Sequence, residues 1–104
     1  MAQKTVVWTE TAVRQRREIL RYWTIRNKST AYSEKLILLI RERIRMISEN
    51  PESGKATTFE STREAALGNF SIYYKILPDT IVVTAFWDNR QDPGKLLEII
   101  FKKS

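Results

Sequence analysis

Phe70-Ser71-Ile72-Tyr73-Tyr74-Lys75-Ile76 is the stretch on which the fold turns. Residues 70, 72, 74 and 76 are apolar or aromatic, and Ser71, Tyr73 and Lys75 fill the alternate places. Alternation with period two puts the first set on a core and the second on the opposite face of a strand. Gly68-Asn69 ahead of it is a hairpin signal, so Thr62 to Leu67 pairs with it as the preceding strand. Pro78-Asp79 turns the chain again. Ile81 to Trp87 is apolar on both faces, as a central strand covered on both sides requires.

Upstream the period changes. Asn50 to Ser61 is rich in turn formers and reads as a loop, with Asn50-Pro51 as the stop of a helix. Leu36, Ile37, Ile40, Ile44 and Ile47 form the apolar stripe of that helix, and Leu38 and Leu39 broaden it. Before it, Ala12, Ile19 and Trp23 share one stripe, flanked by Val13 and Leu20. That first helix is capped by Thr9 or Thr11, with Glu10 near its positive end, and runs to about Arg26. The polar break Asn27-Lys28-Ser29-Thr30 is short, which predicts an antiparallel helical hairpin. Residues 4 to 8 alternate weakly and read as a short strand. Leu96 to Lys102 fits a helix or an edge strand equally. The expected class is α+β, in the order β-α-α-β-β-β. A helical hairpin packs on a small twisted antiparallel sheet joined by the first strand.

With 104 residues the chain supports a single domain, residues 1 to 104. It has no cysteine and no histidine, which excludes a disulfide frame, a thiolate nucleophile, a Ser-His-Asp triad and His-ligated zinc. No metal and no cofactor is expected; with three glycines a phosphate-cradling loop is hard to build. No run approaches the ~20 apolar residues of a membrane span, and the first nine residues lack the apolar region of a signal peptide. The expectation is a cytoplasmic protein with no membrane partner.

The net charge of +6 lies wholly in the first half: residues 1 to 50 hold 11 basic and 5 acidic groups, and residues 51 to 104 hold 7 of each. Arg14, Arg16, Arg17, Arg21, Arg26, Arg41, Arg43 and Arg45 dominate it. The planar guanidinium fork suits carboxylates and phosphates, so a polyanion or an acidic protein segment is the expected partner. Arg14, Arg17 and Arg21 are its candidate contacts. Asp88 and Asp92 flank a turn and fit turn capping better than metal or acid–base work. Without histidine, one chemistry stays open. RNA supplies its own 2′-hydroxyl nucleophile, which a protein can align while arginines stabilise the phosphorane. Arg63 and Arg90, the two arginines of the second half, are the candidates for that task. Tyr73 stands beside them on the face away from the core.

In order and spacing, Val6-Val7-Trp8-Thr9-Glu10-Thr11-Ala12, Met46-Ile47-Ser48-Glu49-Asn50-Pro51, Thr62-Arg63-Glu64, Leu67 to Ile76 and Trp87 to Pro93 resemble the RelE/ParE superfamily of type II toxin–antitoxin toxins. The likeness spans roughly residues 5 to 96. It implies the same hairpin-on-sheet fold and a cognate antitoxin whose acidic and apolar tail wraps the toxin. RelE-like members cleave mRNA on the ribosome with basic residues of the sheet; ParE-like members poison DNA gyrase. The nucleases usually carry arginine where this chain has Ser71, and their lysines on the preceding strand correspond to Arg63 and Ala65. Arg90 matches a late arginine common to both branches, and the two helices are long as in the ParE-like branch. The resemblance therefore favours a gyrase-directed toxin. An mRNA endoribonuclease is the alternative, and a plain basic nucleic-acid-binding module the third reading.

Overall fold

The computed structural model describes residues 4–90. The chain forms β1 (Thr5–Trp8), α1 (Glu10–Asn27), α2 (Ala31–Glu49), a 3-10 turn (Pro51–Ser53), β2 (Lys55–Ala56), β3 (Thr62–Leu67), β4 (Phe70–Ile76) and β5 (Thr80–Asp88). The five strands make one sheet in the order β1-β5-β4-β3-β2. The helical hairpin and the β3-β4-β5 meander stand where the sequence periodicity puts them. The expected ambiguity over Leu96 to Lys102 concerns residues outside those described, as does Asp92.

The sheet departs from expectation in two respects, the first being that it is mixed. β2, β3, β4 and β5 pair antiparallel, but β1 runs parallel to β5, with Val6 opposite Ile81 and Trp8 opposite Val83. Antiparallel neighbours can be joined by a tight turn, whereas β1 reaches β5 only across the whole hairpin and meander. A crossover through helices is the connection that parallel pairing requires. The two-residue β2, inside the stretch read as loop, adds an edge.

Local chemistry explains the helix ends. Thr9 is the α1 cap, and its Oγ1 accepts from Ala12 N at 3.1 Å. Lys28 ends α1 in the left-handed region at φ 53°, its N–H donating to Ile25 O. Ser29 Oγ accepts from Ala31 N, and Thr30 Oγ1 donates to Glu34 at 2.6 Å. Between the helices, Ser33 Oγ lies 2.7 Å from Thr24 Oγ1 and donates to Leu20 O, a polar clasp inside the hairpin.

The hairpin covers one face of the sheet. Leu36, Ile40 and Ile47 of α2 and Ala12 and Ile19 of α1 meet Ala65, Leu67, Phe70, Ile72, Tyr74, Ile81, Val83 and Phe86. Leu38 and Leu39 do not join this core; at 63% and 43% exposure they lie on the outside of α2. In β5 the alternation breaks at Thr84, because Tyr73 faces Ala85 while Tyr74 faces Val83. This bulge lets Val83 and Phe86 point into the same core and sends Ala85 and Trp87 to the other face. There they form a second, smaller cluster with Tyr73, covered by Phe59.

Candidate functional site

α1 presents three kinds of arginine. Arg16 lies over the Trp8 ring at 4.4 Å, and Arg26 over Trp23 at 5.7 Å. Arg14, Arg17 and Arg21 are exposed and make no ion pair with any described residue. Their spacing of three and four residues sets them in one stripe on the outside of the helix. On α2, Arg45 is held by Glu42 at 2.6 Å and Glu49 at 2.7 Å, whereas Arg41 and Arg43 make no ion pair with any described residue. The α1 stripe is therefore an uncompensated part of the basic half, and its field reaches solvent.

The three residues singled out for chemistry on RNA fall in three places. Tyr73 projects from the sheet away from the helices, as the strand alternation predicts, and packs edge-on to Phe59 at 5.9 Å. Burial, and then the Glu64 carboxylate opposite it, push its hydroxyl above the usual tyrosine range. Beside it the fully buried Ser71 donates to Glu64 and accepts from Asn89 Nδ2 at 2.9 Å. At the position where the resemblance expects a nuclease arginine, the described face thus carries a carboxylate–hydroxyl–amide network.

Arg63 is not on that face. It stands opposite Tyr74 in the β3–β4 ladder, and cross-strand partners share a face, so it belongs to the helix side. Its Nη1 donates to Gly54 O at 2.7 Å, and Glu52 lies 3.9 Å from Nη2. Tyr74 completes the arrangement: its hydroxyl donates to Pro51 O at 2.6 Å and accepts from Gly54 N at 3.0 Å. Arg63 pins the turn that leads from α2 into the sheet. This corrects the expectation of Arg63 beside Tyr73, and the reason is register, since the residue opposite Tyr73 is Glu64.

Arg90 sits at the far end of β5. Its Nε and Nη2 each donate to Asp88 at 2.8 Å, and its backbone N adds a third bond at 3.0 Å. The guanidinium lies over Trp23 at 5.0 Å and Phe70 at 5.7 Å. Trp23 in turn contacts Tyr22 and Tyr32 at 5.2 and 5.1 Å. Sequence reading missed this aromatic and guanidinium cluster. Its members are scattered over both helices and two strands, and only the shared spacing of Tyr22, Trp23 and Arg26 hinted at it. Among the described residues no group of three or more acidic side chains is placed to hold a metal ion. No described helix is long and apolar enough to cross a membrane.

The family model for the ParE toxin of the type II toxin-antitoxin system parDE matches residues 6–93. The chain belongs to the ParE toxin family. Two solved structures share the ParE fold seen here. One is described as the chromosomal ParDE toxin–antitoxin system from P. aeruginosa, with TM-score 0.70 and 16% identity over 81% of this chain and 94% of that one. The other is the toxin-antitoxin complex RelBE2 from Mycobacterium tuberculosis, with TM-score 0.61 and 21% identity over 82% of this chain and 96% of that one. No curated protein sequence matches the chain. At such identities the neighbours share architecture, while the family match carries the assignment of this chain as a ParE-type toxin.

Proposed function

We propose that this ParE-family chain arrests growth by acting on DNA gyrase and is neutralised by a cognate antitoxin with an acidic segment. The observation that carries the antitoxin half is the unpaired stripe Arg14, Arg17 and Arg21 on a helix with five arginines against two glutamates. It is what capture of an acidic segment requires. The target half is supported by the placement of the candidate nuclease residues. Arg63 is engaged with Gly54, Arg90 with Asp88, and Tyr73 faces Glu64. A phosphorane-stabilising site needs cations converging on one point.

The test is controlled expression in bacteria, with and without any short reading frame found to adjoin the gene, read for DNA breaks and for mRNA cuts. Growth arrest relieved by that frame, with gyrase-dependent breaks and intact mRNA, is expected. Site-specific mRNA cuts that vanish in Arg63→Ala and Arg90→Ala would instead establish the endoribonuclease reading. Arrest with neither signal removes both targets and leaves the toxin assignment.

A further inference from the structure

β1 ends at Trp8, opposite Val83, so no described strand lies alongside the last residues of β5. Gln15 of α1 takes over there, its Oε1 accepting from Phe86 N at 2.9 Å. Beyond the end of β1, a half-open cleft of about 690 Å³ among the described residues separates α1 from the end of β5. Its floor is apolar and aromatic, made by Ile19, Trp23 and Phe86. Its rim carries Tyr22 and Arg26 at one end, beside the Arg90–Asp88 pair, and Glu18 at the other.

Three features give the cleft a chemical preference. Gln15 Nε2 and Trp23 Nε1 are buried donors without a partner among the described residues, and Gln15 is only 8% exposed. A buried N–H without an acceptor is destabilising, and a ligand carbonyl brought to it removes the penalty. Arg26 has no carboxylate among the described residues; its only hydrogen bond there is a 3.5 Å contact to Tyr22 Oη. Glu18, eight residues back on the same helix and so ~12 Å away, repels a second negative charge.

We infer that this cleft is the anchor for the antitoxin, seating one apolar side chain on the Trp23–Phe86 floor and one acidic side chain on Arg26. The residue at the Glu18 end is neutral or basic, about four extended residues from the acid. This rests on the reading of the chain as an antitoxin-bound toxin and divides the work between two surfaces. The stripe Arg14, Arg17 and Arg21 lies on another side of α1, so it speeds encounter, while the cleft sets residence time.

The probe is the antitoxin recovered by the growth-rescue experiment, with association and dissociation rates measured separately. Arg26→Glu and Tyr22→Ala, both at exposed positions, are expected to raise the dissociation rate about tenfold or more. Charge reversal of Arg14, Arg17 and Arg21 is expected to lower the association rate and leave dissociation within about twofold. A lysine replacing the acid in the antitoxin should restore binding to Arg26→Glu but weaken binding to wild type. Thermal melts of the free variants control for folding, and the Trp23 indole N–H resonance should shift in the complex. If wild type binds tightly while both cleft variants dissociate at its rate and the Trp23 signal stays in place, the anchor is elsewhere and the inference is wrong. If no adjoining frame rescues growth and wild type binds no such protein, the antitoxin reading itself falls, and the anchor with it.

Discussion

At the scale of single residues, Gly54 and Tyr74 depend on one another through space rather than through backbone strain. Gly54 has an ordinary extended backbone, φ −70° and ψ 153°, which any residue can adopt. Yet a Cβ there would run into the Tyr74 hydroxyl and lie 2.8 Å from its Cζ. Gly54→Ala is expected to cost about 1–3 kcal/mol by overpacking. Tyr74→Phe is expected to cost a similar amount, about 1–3 kcal/mol, because it strands Gly54 N–H and leaves Pro51 O without its donor. The double variant should lose less than the sum, since removing the hydroxyl relieves the nearer clash. Equilibrium urea unfolding of the four proteins measures this, and strict additivity would contradict it. Asp88 gives a second prediction. Burial pushes its carboxyl up, but the side-chain and backbone bonds from Arg90 outweigh that and hold it below the usual aspartate range. A carboxyl depressed on folding stabilises above its unfolded value, near 3.8, and loses that contribution as pH falls through its folded value. Arg90→Ala should therefore be less stable than wild type at pH 6 to 7, with the gap closing below about pH 4. A gap that stays constant down to pH 3 would show that the pair does not act this way.

At the scale of elements, the sequence was most legible where one period governs one face. The α2 stripe named Leu36, Ile40 and Ile47 and the β4 alternation named Phe70, Ile72 and Tyr74, because burial on one side leaves a periodic trace, although Ile37 of the stripe is exposed and Ser71 and Tyr73 are buried on the other face of β4. Three things left no such trace. The parallel seating of β1 depends on a crossover, not on the four residues that form the strand. The bulge at Thr84 is an extra residue whose effect on Phe86 and Trp87 exists only against the β4 register. The placement of Arg63 follows from pairing with Tyr74, and a register is not written in β3 alone. The arginine stripe is the opposite case, since spacing along one helix fixes it. Arg14, Arg17 and Arg21 should dominate the salt dependence of antitoxin association. Their reversal to glutamate is expected to slow the association rate roughly tenfold or more at low ionic strength and to flatten its fall with added salt. Stopped-flow mixing at 20 and 300 mM salt reads this, and an unchanged rate at both would remove electrostatic capture.

At the scale of the whole molecule, the fold leaves surface uncovered in ways that a bound partner changes. Leu38, Ile25 and Tyr22 are more than half exposed. The cleft beside β5 holds two donors without acceptors among the described residues. The small size adds to this, because a domain near 100 residues sits only about 5–15 kcal/mol above unfolding. Any ligand that binds the folded chain alone then raises its melting temperature by mass action. For binding near 1 nM with 1 μM free antitoxin, the stabilisation is about 4 kcal/mol. Spread over the unfolding entropy of a chain this long, that is roughly 15–30 °C. Mixing the separately purified toxin and antitoxin should show such a shift by differential scanning fluorimetry. Arg26→Glu should give a shift smaller by several degrees, because faster dissociation weakens the complex. The stripe reversals should also reduce it, but only through the slower association, and added salt should shrink the difference between them and wild type. A shift below about 5 °C for wild type at these concentrations would mean binding far weaker than a neutralising partner needs.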